Sequence, residues 1–270
     1  MSDEANGDSM EPSSAKETLD LAQQPHWLMP DWPAPESVQA LVTTRESGPS
    51  EGAFAHFNPA AHVGDAPSSV AECRRWLSHC VGDERPLLWM DQVHGTEVVE
   101  SPPNLGQAPQ ADASVAFDQS HACVVMTADC LPVFLCNRQG TRVGLAHAGW
   151  RGLLNGVIEA TVARLDCAAH ELMAWLGPAI SSELFEVGPE VFEAFIADNP
   201  QDEKAFKHSP YRLKHYMADL YELARLRLQR MGIRQVYGGN LCTASDSRFF
   251  SYRRDNGHTG RMASMIWLKH

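Results

Sequence analysis

Residues 121–153 read HACVVMTADCLPVFLCNRQGTRVGLAHAGWRGL. Three apolar runs in this stretch, at 121–127, 133–136 and 143–146, are too short for helices and carry the valines that suit a pleated, buried surface, so they predict three strands. The third run leads through Gly149 and Gly152 into residues 152–165. There Leu153, Val157 and Val162 recur at the 3.6-residue spacing of a helix with one buried face. Strands that follow one another directly, with a helix only after the third, argue against a regular alternation of strand and helix.

Working outward, further strands are predicted at 38–43, 87–90, 98–100, 173–176, 236–240 and 262–268, and further helices at 69–79, 189–197 and 214–231. Strands outnumber helices and come in pairs as well as alternating with them. The expected fold class is therefore α+β, or mixed α/β. Residues 36–270 contain no repeat and no long low-complexity linker, which predicts one catalytic domain. Residues 1–35 are rich in Ser, Glu, Asp, Ala and Pro, and without apolar periodicity they predict a disordered or extended tail.

Composition narrows the function classes. The chain has 270 residues, 44% of them hydrophobic, enough to bury a substantial core. Its 34 acidic against 22 basic residues give a formal charge of -12, which repels a phosphate backbone and argues against nucleic acid as a partner. No run approaches the roughly 18 apolar residues of a membrane span. The start, MSDEANGDSMEPSSAKE, is acidic and polar where a signal peptide is basic and then apolar, so a cytoplasmic protein is expected. Seven cysteines with no CxxC spacing predict mostly reduced, inert thiols.

Three segments share one plan, an apolar run followed by His or Cys among small residues: LLWMDQVHG ends at His94, ACVVMTADC at Cys130, and RVGLAHAGWRG contains His147. Strand ends on a rigid sheet can converge reactive groups. His, Cys and His suit zinc, and three protein ligands with an open fourth position is the catalytic arrangement. A core thiol and two hydrogen-bonded histidines would leave the same pattern. AHAGWRGL places Arg151 in the first turn of a helix, a natural phosphate or carboxylate site, although a plain helix start with Arg151 in solvent reads the same. In FFSYRRDNGHTGRM, Arg253, Arg254 and Arg261 surround a Gly-containing loop behind Phe249, Phe250 and Tyr252. Arginines there could hold an anion and aromatics could stack a ring, and a solvated hairpin is the alternative.

Together VTTRESG, HVGD, DQVHGTEV, TADCLPVFL, AHAGWRGL, LGPAI, FEVGPEV and FFSYRRD followed by TGRMAS, in this order from Val42 to Leu268, resemble the YfiH family. That family is also labelled multicopper polyphenol oxidase, laccase-like, and peptidoglycan editing factor. The resemblance implies a single-domain mixed α/β fold with a β-sandwich core flanked by helices. It also implies a metal, usually zinc with copper possible, on His94, Cys130 and His147, which double as the catalytic groups. The implied activity is phosphorolysis of adenosine, inosine and S-methyl-5'-thioadenosine, with adenosine deamination besides. Purine nucleosides and phosphate are the implied partners, and Arg45 of the TTR motif is implied to lie near the ligand, with Arg151, Arg253 and Arg261 as the further candidates for binding substrate or phosphate. Many relatives read GPAIGPCCYEVG where this chain has GPAISSELFEVG at 177–188, so no role of those cysteines operates here. The acidic position of the relatives' Leu-Asp-Leu motif falls on Asp219.

A four-copper laccase needs about ten histidines, many in His-x-His pairs, and none of the 12 here has another two residues away. Two alternatives remain beside the nucleoside enzyme. One is a Cys130 nucleophile activated by His147 or His94, cleaving an amide in a peptidoglycan precursor. The other is a copper-loaded phenol oxidase or a binding protein for metal or nucleoside without catalysis.

Overall fold

The computed structural model describes residues 27–82, 85–100 and 108–269. The expected tail lies outside the described residues for positions 1–26. From Trp27 onward the chain is already attached: Leu28 exchanges backbone hydrogen bonds with Val42, and the Trp27 ring lies edge-on to Phe57.

Thirteen strands among the described residues form two large sheets and one small one. The four-stranded sheet runs β1 (Val38–Val42), β13 (Met262–Leu268), β5 (Ala122–Thr127) and β2 (Leu87–Leu88). The six-stranded sheet runs β12 (Gln235–Gly238), β8 (Leu172–Leu176), β6 (Leu131–Asn137), β7 (Val143–Ala148), β4 (Ala113–Ala116) and β3 (Val98–Glu100). β9 (Glu186–Val187), β10 (Phe206–His208) and β11 (Tyr216–Ala218) make a small antiparallel sheet.

The period-two alternation of β6 shows how the layers stack. Phe134 and Cys136 point into a core shared with Val42, Val125 and Ile266 of the four-stranded sheet, which makes the two sheets a sandwich. Leu131, Val133 and Leu135 point the other way, onto helices α2 (Trp150–Asn155), α3 (Val157–Leu165), α4 (Pro189–Asp198) and α5 (Leu220–Arg230). The outer face of the four-stranded sheet is covered by α1 (Pro67–Val81) through Cys73, Leu77 and Val81. With both faces covered, β5, β6 and β7 are buried at every residue, and continuous apolar runs are what such strands look like in sequence. The α+β class and the sandwich core flanked by helices hold.

Four differences from the sequence expectation have local causes. The helix expected over 152–165 is two helices, broken at Gly156, whose left-handed φ of 94° ends one and starts the next. The helix expected from 214 begins at Leu220 after strand β11, because Asp219 caps it by accepting the Glu222 N–H. Strand β7 extends through His147, which lies inside the strand and not beyond its end. Strands β4, β9, β10 and β11 went unpredicted, since two to four residues carry too little periodicity to stand out.

Candidate metal centre and active site

Two chain crossings between the large sheets build the site. After β5 the segment 128–130 passes from the four-stranded to the six-stranded sheet, and Cys130 is its last residue. Asp129 takes a left-handed φ of 87° there, held because its carboxylate accepts from Thr243 Oγ1 at 2.6 Å and from the Arg253 N–H at 2.7 Å. The second crossing joins β2 to β3 and carries His94, whose φ is 60°. Gln92 ties this loop to the end of β5: its amide donates to the Met126 carbonyl at 2.9 Å and accepts the Met126 N–H at 2.7 Å. His147 arrives from β7.

The three ligand atoms of His94, Cys130 and His147 lie within 4.8 Å of one another, the one such group of three metal-binding side chains among the described residues. Cys130 Sγ stands 3.7 Å from His94 Nε2, close to the roughly 3.5 Å that a thiolate and an imidazole sharing a tetrahedral zinc require. His147 is buried, Cys130 half-buried and His94 exposed, so the group opens on one side. Three N and S donors around an open position fit a catalytic zinc ion, and copper as an alternative. Gly149 makes room for them, since a Cβ there would lie 2.8 Å from His94 Cδ2 and 2.9 Å from Cys130 Sγ.

Electrostatics favours a thiolate on Cys130 beside an imidazolium on His147, so the thiol is already in its ligating form and His147 gives up a proton when it takes an ion. Burial pushes the Cys130 thiol up, but the charge and hydrogen bond of His147, with those of His94, outweigh it and bring the thiol down to about 6. Burial works against charge on His147 as well, and Cys130 and Asp112 outweigh it, raising the imidazole to about 9. Asp112, buried just before β4 (Ala113–Ala116), accepts from His147 Nδ1 at 2.8 Å. It also accepts the N–H groups of Val93 at 3.1 Å, His94 at 2.9 Å and Gly95 at 2.6 Å.

The group forms part of the wall of a cavity of about 470 Å³. Arg151, Arg253 and Arg261 also line it, as do Phe185 and Tyr252. The arginines differ in what they have left to offer. Arg253 donates to the carbonyls of Leu184 and Glu186 and lies over the Phe185 ring, so it braces that wall. Arg261 donates through Nη1 to the carbonyls of Thr259 and Gly260. Burial holds it below its ordinary value, partly offset by Cys130, Tyr252 and Asp129. Arg151 lies over Trp150 and is exposed. Arg45 is not among the lining residues: its Nε donates to the Ala55 carbonyl at 2.7 Å and its head sits between Asp255 and the Phe250 ring. The structure thus places Arg45 outside the wall that Arg151, Arg253 and Arg261 line.

Comparison with known proteins gives the chain a family. Residues 39–269 match the family model described as multi-copper polyphenol oxidoreductase laccase. An Escherichia coli protein named purine nucleoside phosphorylase YfiH is 45% identical over 245 residues, covering 89% of this chain and 98% of that one. The chain belongs to the YfiH family. A Pseudomonas aeruginosa protein named purine nucleoside phosphorylase is 51% identical over 246 residues, with 90% and 98% coverage. A Neisseria meningitidis crystal structure superposes with a TM-score of 0.87 at 49% identity, covering 90% of this chain and 99% of that chain. The Bacillus licheniformis YfiH structure gives 0.79 at 31%, with 86% and 93% coverage.

Several residues in the cavity wall or just behind it escaped sequence reasoning. His62 of HVGD lines the cavity, where burial and then Arg261 hold it below its ordinary value. Gln92, Asp112 and Phe185 also went unassigned. Phe185 stands in FEVGPEV, a motif noted without a role. No spacing rule links Asp112 to histidines 18 and 35 positions away. Ser181 and Ser182, at the start of the segment that departs from the cysteine-rich pattern, border a separate cavity, and the Ser181 N–H donates to Cys242 Sγ at 3.4 Å.

Proposed function

We propose that this protein is a zinc-dependent purine nucleoside phosphorylase acting in the cytoplasm on adenosine, inosine and S-methyl-5'-thioadenosine, with adenosine deamination as a further activity. The observation that carries this is one cavity that combines a His-Cys-His metal group, two arginines with donors to spare and two aromatic rings. The relatives named purine nucleoside phosphorylase support it. A cavity of about 470 Å³ suits a ligand of nucleoside size.

Zinc on His94, Cys130 and His147 would supply Lewis acidity beside the departing base. Arg151 and Arg261 bind phosphate and neutralise its charge, so that a phosphate oxygen can bond to the sugar carbon on the face opposite the base. The bond from that carbon to the purine nitrogen breaks, and the purine leaves with the electron pair and takes up a proton. Phe185 and Tyr252 provide apolar surface for the ring. The test is incubation of purified protein with adenosine, with and without phosphate, followed by chromatography. Adenine forms only with phosphate, and Cys130→Ala lowers the rate at least about 100-fold as a metal ligand is lost. Equal turnover by C130A, or none by the wild type, rejects the assignment.

A second reading is favoured by one observation. Cys130 with a depressed thiol, His147 and Asp112 stand in the order nucleophile, base and orienting carboxylate, which fits a cysteine amidase acting on a peptidoglycan precursor. Chelation separates the two, since it abolishes a zinc reaction and spares a thiolate one.

A further inference from the structure

Asp112 contributes no atom to the cavity wall, yet its carboxylate accepts hydrogen bonds from both histidine-bearing elements. The side chain is fully buried. Oδ1 accepts from His94 N and His147 Nδ1, and Oδ2 accepts from Val93 N and Gly95 N. Four donors on one carboxylate satisfy its lone-pair sites, which is how a buried charge is retained without a cationic partner of the usual kind. Cross-strand pairing brings the residue there. The β4 and β7 ladder sets Ala113 opposite Ala146, and the His147 N–H donates to the Asp112 carbonyl at 2.7 Å, so Asp112 follows His147 by register.

We propose that Asp112 is a positioning residue that presents both histidines to a single metal ion. Accepting from Nδ1 fixes His147 in the tautomer that leaves Nε2 for the ion. Accepting three successive N–H groups from 93–95 holds the left-handed turn at His94, a conformation a non-glycine residue seldom adopts unaided. One buried carboxylate therefore sets two ligands that no local sequence links, before any ion arrives. Asparagine cannot replace it. Each carboxylate oxygen receives two donors, so whichever side takes the amide nitrogen faces at least one N–H that it cannot accept. The proposal rests on the metal-centre part of the proposed function and is independent of the substrate.

The experiment compares zinc affinity, by competition with a chromophoric chelator, in wild type, Asp112→Asn and Asp202→Asn. Asp202 is an equally buried carboxylate, paired with Arg230 and absent from the cavity wall. Expected is a 10–100-fold weaker zinc affinity for D112N, a shifted thiolate-to-metal absorption band in its cobalt(II) form, and D202N within about twofold of wild type. A D112N protein that binds zinc within twofold of wild type with an unchanged cobalt spectrum overturns the proposal. Should D112N fail to fold, two-bond histidine nitrogen–proton spectra of the zinc-loaded wild type decide instead. A protonated Nδ1 and metal-bound Nε2 on His147 support it, and coordination through Nδ1 overturns it. A wild type that binds no metal overturns the metal centre and this inference together, whereas absent nucleoside turnover bears on the substrate alone.

Discussion

The smallest residue at the centre is under the tightest constraint. Gly149 lies where any side chain would collide with His94 and Cys130 at once, at 2.8 and 2.9 Å from a Cβ. Its φ of -65° is open to any residue, so backbone strain plays no part and the collision alone decides. Gly149→Ala is expected to push the two ligands apart, weakening zinc binding by tenfold or more while the fold loses about 1–3 kcal/mol to overpacking. Equilibrium dialysis beside a denaturant titration checks both, and unaltered zinc affinity counts against the space-making role. The ligating residue types were legible in the sequence because Cys130 and His147 border apolar runs. Asp112 was not, because its importance is a matter of register between two strands and not of any local pattern.

At the scale of elements, helix α5 shows how one side chain sets a boundary. The apolar spacing Leu220, Leu223, Ala224, Leu228 was evident, yet the helix was expected to start six residues early. Tyr216–Ala218 pairs in a sheet with β9 and β10, and Asp219 then supplies its carboxylate to the free Glu222 N–H. Asp219→Ala is expected to cost about 1 kcal/mol and to lower Tm by about 2–4 °C, without altering zinc content. A loss of zinc would show that the acidic position reaches the centre. Pairing with a distant strand overrides local propensity here, as it does for β4, whose four residues are held between β3 and β7.

Across the whole molecule, buried and ion-paired groups predict the acid limb of stability. Burial holds His121 below its ordinary value. The unfolded chain therefore takes up a proton first, and stability falls as pH drops below about 6.5. Asp246, through its hydrogen bond from Arg248, and Asp255, where burial is outweighed by Arg254 and Thr259, are held below the ordinary carboxylate value. Their contribution is present above about pH 4 and is lost as pH falls through their folded values. Urea midpoints measured from pH 7 to 3 should decline in two stages, and a flat profile contradicts this.

By itself the sequence determined the α+β class, the identity of the central strands, the metal-type residues and the family. Each of these is carried by a contiguous motif or a repeating period, and such signals survive without coordinates. Only the tertiary structure decided how His94, Cys130 and His147 are brought together, that Asp112 joins two of them, and that Arg45 turns to Asp255 and Phe250 while Arg261 lines the cavity. Those outcomes depend on where the chain crosses between two sheets and on strand register, quantities that arise from packing distant segments together and have no signature within any one of them.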